Sequence, residues 1–223
     1  MSTGSGKTTL LSMLTGDHPQ SYNQPGRTLV LFGIPRHNHA TVDLRTRIGV
    51  VSPELYNAWP RARPMTVREA VATGFDGVFV PLGEHGLGLG LDGEMSAEMR
   101  AWRERRLWEV LRALGPHTWG ATSEGESVEA FAERRFADLS AGAQSMVLLM
   151  RALVGQARLV LLDEVWSGMD EGMILAARKY LREGAVSSDQ AVVVISHWED
   201  EVPWGNIDDV KRFELENGVG TVL

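Results

Sequence analysis

The sequence predicts an α/β fold whose strand-and-helix rhythm is interrupted midway by a helical insertion. Three observations predict it. LVLLD at 159–163 and AVVVIS at 191–196 are short apolar runs that read as strands buried on both faces. Stretches with helical spacing separate the strand runs, the alternation expected of a parallel sheet. Between about residue 66 and residue 154 the strand runs vanish and helix-like segments take over.

Taken in order, residues 1–16, MSTGSGKTTLLSMLTG, are a Gly-rich turn running into an apolar helix that stops near Gly16. TLVLF at 28–32 is a strand candidate, followed by a polar loop with His37 and His39, and IGVVS at 48–52 is a second short strand bounded by Pro53. TVREAVATGF, from Thr66, reads as a short helix, whereas PLGEHGLGLGLDG at 81–93 is too Gly-rich for a regular element. Ser96 to Leu114 is helical, with Leu107, Val110, Leu111 and Leu114 as its apolar stripe and Gly115-Pro116 as its stop. Glu126–Arg135 and Glu171–Arg182 are further helices, and Ser140–Leu153 is a capped, strongly apolar one. A short terminal strand is expected over 209–215.

Composition bounds what these elements can do. The chain has 223 residues, 22 Lys plus Arg against 29 Asp plus Glu, a formal charge of −7, and 43% hydrophobic residues. That suits one domain with a sizeable core, or a core with a smaller lobe, rather than a disordered chain. Cysteine is absent, which excludes disulfide frameworks, cysteine nucleophiles and cysteine–zinc sites. The negative balance offers no general phosphate-neutralising surface, so it argues against broad nucleic-acid binding while leaving room for one local anion site. No apolar run approaches the roughly 18 residues of a membrane span, and the opening Ser-Thr-Gly-Ser-Gly-Lys is unlike a secretory signal. A soluble protein of the cytoplasm or another intracellular compartment is expected.

The anion site is legible at Gly4-Ser5-Gly6-Lys7-Thr8-Thr9, the second part of a G-x-x-x-x-G-K-[ST] phosphate loop. Gly4 and Gly6 let the backbone turn and expose successive amides, Lys7 carries charge to the β- and γ-phosphates, and the Thr8 hydroxyl suits Mg2+. The helix that follows adds its own free amides and dipole. Asp163 and Glu164 end the 159–163 strand, where an open α/β sheet binds its ligands. Asp163 there suits Mg2+, and Glu164 suits orienting or deprotonating water. An acidic pair after a strand is also what a solvated strand end looks like; the phosphate loop elsewhere in the chain favours the catalytic reading. His197, directly after AVVVIS, is a γ-phosphate contact or a structural histidine. Ser140, Gly142 and Gln144, in LSAGAQ at 139–144, form a capped helix start whose small residues leave amides open to an anion. His37 and His39 lack an evident third ligand for zinc.

Together these motifs resemble the ATP-binding-cassette (ABC) ATPase family. Gly4–Thr9 resembles its Walker A loop, LSAGAQ its LSGGQ signature, and LVLLDE at 159–164 its Walker B strand with the catalytic glutamate. Ser167-Gly168-Met169-Asp170 resembles the D-loop, and His197 the switch histidine. VSPELYNAW at 51–59, TVREAVATGFDG at 66–77 and DEVWSGMD at 163–170 narrow the likeness to soluble tandem-cassette proteins of the molybdate/photorepair type, fungal members above all, and to their carboxyl-terminal cassette. The resemblance implies a P-loop NTPase core lobe at 1–65 and 155–223, a helical signature subdomain at 66–154, and ATP with Mg2+ as ligands. It also implies a second cassette as partner, in one longer chain or a homodimer. Ser140 and Gly142 would face the partner's γ-phosphate, and Asp170 would communicate across the interface.

Two departures stand out. Ser52-Pro53-Glu54 occupies the place of the Q-loop glutamine. Met1 falls where the phosphate loop has its first glycine, so the strand that delivers the loop, and the aromatic that stacks on adenine, are expected to lie outside this sequence; Tyr22 comes too late to replace it. Two other readings stay open. One is a fragment with a vestigial nucleotide site. The other is a DNA-repair ATPase using Arg100, Arg103, Arg105 and Arg106 as a basic patch, although Glu98, Glu104 and Glu109 dilute it.

Overall fold

The computed structural model describes residues 6–22, 29–90, 93–120, 126–196, 202–204, 210–216 and 219–222. The chain divides into two compact units, residues 1–45 with 195–223 and residues 46–194.

In the first unit, α1 (Lys7–Thr15) starts on Gly6 and ends at Gly16, both left-handed at φ 98° and 92°. Its closing carbonyls are satisfied from outside the helix. Fully buried Arg36 donates to the carbonyls of Leu14 and Thr15, each at 3.3 Å, and its guanidinium stands over the Tyr22 ring at 5.1 Å. The strand expected over 28–32 is cut short. β1 (Val30–Leu31) pairs antiparallel with β2 (Ile34–Pro35), because Phe32 and Gly33 both take positive φ, 52° and 79°, and turn the chain back. The polar loop expected next instead contains β2, a helical turn and α2 (Thr41–Arg45). His39 is buried, with Nε2 2.9 Å from the Leu31 carbonyl, which is a structural role. His37 is exposed. The single terminal strand expected over 209–215 is a hairpin of β6 (Phe213–Glu216) and β7 (Val219–Val222).

The second unit is built on a sheet of order β3-β4-β5. β3 (Ile48–Val51) and β4 (Leu159–Asp163) run parallel, with Ile48 opposite Leu159 and Val51 opposite Leu162. Every β4 residue is buried, as its unbroken apolar run requires. The expectation for AVVVIS is corrected: β5 (Ala191–Ile195) has no buried residue. Among the described residues it is the outer strand, beside β4.

Between β3 and β4 lie α3 (Pro53–Ala58), α4 (Val67–Ala72), α5 (Ala97–Leu114), α6 (Val128–Glu133) and α7 (Ala141–Val154); α8 (Glu171–Glu183) follows β4. Each begins on a side-chain cap: Ser52, Thr66, Ser96, Ser127, Ser140 and Asp170 in turn. At α4 the cap is reciprocal, with Glu69 accepting the Thr66 amide at 2.8 Å. α7 is buried at every residue but Ala141 and packs on β3, α4 and α5. Gly49 and Gly74 permit that approach, since a Cβ at either would run into the Ala152 or Arg151 carbonyl. The described part of the Gly-rich stretch is irregular apart from one turn at Glu84–Gly86. No helix of the described residues is long and apolar enough to cross a membrane.

Of the four arginines expected to form a basic patch on α5, Arg100 and Arg105 are exposed and the other two turn inward. Arg103 and Arg106 are buried. Arg103 pairs with Asp76 at 2.8 Å and donates to the Leu87 carbonyl at 2.7 Å, while Arg106 pairs with Glu109 at 2.6 Å. Arg100 pairs with Glu84 at 2.9 Å. The Arg103–Asp76 contact pins the Gly-rich stretch, because Asp76 also accepts the Leu89 amide at 2.8 Å. Replacing Asp76 with Ala leaves a buried guanidinium uncompensated and is expected to cost about 3–5 kcal/mol in urea unfolding. Replacing Glu84, whose pair with Arg100 is exposed, is expected to change stability by less than about 1 kcal/mol.

Candidate functional site

The phosphate-loop residues open α1. Gly6 makes no side-chain cap, unlike the residue that starts each helix of the second unit. The first backbone hydrogen bond of the helix runs from the Leu10 amide to the Gly6 carbonyl at 2.9 Å, so the amides of Lys7, Thr8 and Thr9 precede the intrahelical ladder. Thr8 and Thr9 are exposed and Lys7 is half-buried. A left-handed glycine, three leading amides, an ammonium and two hydroxyls make a turn suited to a phosphate chain. Gly4 and Ser5 lie outside the described residues, as does His197. Tyr22 is held for structural reasons, its hydroxyl 2.6 Å from Thr41 Oγ1 and its ring beneath Arg36.

The carboxylates lie in the second unit. Asp163 ends β4 and is 7% exposed; Glu164 is exposed and sits in left-handed backbone at φ 48°. A non-glycine residue in that region stores about 1 kcal/mol of strain or more. Its carbonyl accepts the Ser167 amide at 3.0 Å, closing the turn that carries the chain from β4 towards α8. Asp163, Glu164 and Asp170 therefore share one connection. Asp170 caps α8 by accepting the Met173 amide at 2.8 Å.

The signature residues are brought against that same connection. Ser140 caps α7 through the Ala143 amide at 3.3 Å, and Ser145 Oγ donates to the Ser167 carbonyl at 2.9 Å. Gly142 lies so close to Gly168 that a Cβ on it would meet the Gly168 carbonyl. Ser140, Ala141, Ser167, Gly168 and Asp170 are all exposed, so two helix starts and the turn between them present a polar surface. Gln144 is buried, and its Nε2 donates to the carbonyls of Phe136, Ala137 and Leu139 at 3.3, 3.4 and 3.2 Å. Its side chain shapes the turn and does not face solvent.

Two contributing residues lie outside the motifs, Ser145 and Arg61. Ser145 carries a signal in the sequence, a hydroxyl inside an otherwise apolar run. Arg61, which touches Gln144, carries none. In place of the expected Q-loop residue, Ser52 caps α3 through the Leu55 amide at 3.2 Å, and exposed Glu54 lies in the first turn. No group of three or more His, Asp or Glu among the described residues could hold a metal. Mg2+ in phosphoryl chemistry takes only one or two protein oxygens, the remainder coming from phosphates and water. The Thr8 hydroxyl and the Asp163 carboxylate are oxygen donors of that type.

The sequence profile of the ABC transporter family matches residues 2–167. An uncharacterized ABC transporter ATP-binding protein of Schizosaccharomyces pombe is 31% identical over 205 residues, which is 91% of this chain and 35% of that protein. Another, from Saccharomyces cerevisiae, is 30% identical over 209 residues, 90% of this chain and 33% of its own length. The ABC transporter ATP-binding protein ModF of Escherichia coli is 28% identical over 201 residues, 90% of this chain and 35% of its own. The chain thus spans about a third of the length of these curated relatives. Among solved structures, a dimeric ATP-binding cassette in a post-hydrolysis state, bound to ADP and Pi, matches with a TM-score of 0.60 at 22% identity, covering 98% of this chain and 81% of that one. An ATP-binding subunit of an ABC transporter matches with a TM-score of 0.67 at 17% identity, covering 100% and 76%. The fold is therefore the α/β P-loop NTPase fold of such cassettes, as the motif order leads one to expect.

The contact between Gly142 and Gly168 is testable. Gly142→Ala is expected to destabilise the chain by about 1–3 kcal/mol in denaturant unfolding, since the carbonyl in its way belongs to backbone. Ser145→Ala, which removes one hydrogen bond, is expected to cost about 0.5–1.5 kcal/mol.

Proposed function

The chain belongs to the ABC transporter family, and from that membership we propose that it binds ATP with Mg2+ and hydrolyses it as one half of a head-to-tail pair of cassettes. The observation that carries this reading is the exposed surface formed by Ser140, Ala141, Ser167, Gly168 and Asp170. Ser140 and Ala141 belong to the cap and first turn of α7, where amides and dipole favour an anion, whereas at α8 that anion is the Asp170 carboxylate itself. A single chain has one phosphate turn and one signature turn, so two chains or two cassettes in head-to-tail array would complete two sites.

Each residue has a role in this proposal. Gly4, Ser5, Gly6, Thr9 and the amides that begin α1 cradle the phosphates, and Lys7 neutralises their charge. Thr8 and Asp163 hold Mg2+, which would polarise the γ-phosphoryl group. Glu164 accepts a proton from, or orients, the attacking water, and His197 contacts the γ-phosphate. Ser140 and Gly142 approach the γ-phosphate of the nucleotide on the partner cassette, Gln144 shapes their turn, and Asp170 lies at the interface. In this scheme residues 1–65 and 155–223 act as the core lobe and residues 66–154 as the helical subdomain. ATP draws the pair closed and hydrolysis releases it. The partner is a second cassette in a longer chain or a second copy of this one. A basic-patch role in binding nucleic acid gains no support from α5, where Arg103 and Arg106 are buried and paired.

Steady-state phosphate release tests the reading in the protein that carries this chain. Glu164→Gln is expected to lower kcat by about a hundredfold or more with ATP affinity retained. Wild-type rates in that variant would sink the assignment. Lys7→Ala is expected to weaken ATP binding by about tenfold or more in calorimetry with Mg2+ present, from the loss of a charge-assisted contact.

A further inference from the structure

Arg61 belongs to none of the recognised motifs, yet it holds Gln144, the signature residue with a buried polar side chain. Its Nε donates to Gln144 Oε1 at 3.1 Å, and its guanidinium lies over the Tyr56 ring of α3 at 4.4 Å. A side-chain amide is almost symmetric in shape but not in chemistry, since one end only accepts and the other only donates. A guanidinium can only donate. Its contact therefore dictates that Gln144 turns its oxygen to Arg61 and its nitrogen to the three carbonyls of Phe136, Ala137 and Leu139. Rotated by half a turn, the amide would set its oxygen against those carbonyl oxygens.

The segment bearing Arg61 is itself anchored. Trp59, 3% exposed, packs on Phe136 with ring centroids 5.6 Å apart, and Arg151 of α7 stands over the Trp59 ring at 5.1 Å. The Phe136 amide donates to the Met65 carbonyl at 2.9 Å, and the Val67 amide to the Arg134 carbonyl at 2.9 Å. Residues 59–67 are thus laced to the turn that leads into Ser140.

We propose that Arg61 is a positioning residue for the signature turn: by fixing the Gln144 amide it holds Ser140 and the first amides of α7 in place for a phosphate. The inference rests on the paired-cassette reading above. It also makes the segment after β3 a mechanical partner of the signature turn, because Tyr56 and Arg61 both follow that strand.

The test compares Arg61→Ala and Arg61→Met with wild type in the full-length protein, by steady-state phosphate release across ATP concentrations and by amide hydrogen exchange over residues 139–144. Methionine keeps an apolar stem against Tyr56 but cannot donate. Both variants are expected to lower kcat by about tenfold, the scale of one charge-assisted hydrogen bond, with KM within about twofold because α1 is untouched. Exchange at the start of α7 is expected to quicken in both. Gln144→Ala combined with Arg61→Ala is expected to lose no more activity than the worse single variant, the mark of two groups acting as one. Wild-type kcat and exchange in Arg61→Met would overturn the proposal, leaving Arg61 as packing alone. Absence of ATP turnover in the wild type would instead sink the paired-cassette reading, and exchange would then still decide whether Arg61 locks the turn.

Discussion

From Gly142 to Val154 helix α7 is buried at every residue, and much of the second unit follows from that constraint. A helix buried all round has to be enclosed on all sides. β3, α4 and α5 supply the enclosure, and Gly49 of β3 and Gly74, just after α4, let backbone come within reach of it. Each large apolar side chain buried there contributes about 1.5–3 kcal/mol. The consequence for chemistry is positional. A helix gripped along its length has little freedom to shift its first turn, and the first turn is where Ser140, Gly142 and Gln144 sit.

Burial on this scale traps cations, and the fold uses them as fasteners. Arg151 lies within α7, donates to Thr73 Oγ1 and the Val78 carbonyl, and stacks on Trp59 and Phe79. Desolvation pulls its pKa down to about 10, which still leaves it charged at neutral pH. Arg36 does comparable work in the first unit, closing the carboxyl end of α1 from a distant turn. In both places a guanidinium donates to backbone carbonyls far from it in sequence. Such contacts are stiff because several planar donors are engaged at once.

The starts of the helices differ in how their amides are met. Ser52, Thr66, Ser96, Ser127, Ser140 and Asp170 each accept a leading amide of the helix they begin. Gly6 makes no such cap. Glu164 adds a second kind of tension, with a carboxylate residue held in backbone that glycine would occupy more easily. Strain of this sort persists where surrounding structure outweighs it, here between fully buried β4 and the cap of α8.

Local signals in the sequence act over a few residues, and what depends on them was legible. The apolar run of β4, the stripe of α5, the cap of α7, the extent of α8 and the stop of α1 near Gly16 fall where periodicity and capping place them. So did the order of Gly6-Lys7-Thr8, LSAGAQ and Asp163-Glu164, and with it the family and the fold. Tertiary structure alone decided the exposure of β5, the reversal of the chain at Phe32-Gly33, the inward turn of Arg103 and Arg106, and the contact of Gly142 with Gly168. It also decided that Gln144 faces the core and meets Arg61, a residue 83 positions away. A composition or a spacing carries no record of such a pairing, because it exists only once the intervening helices have packed and excluded water from between its partners.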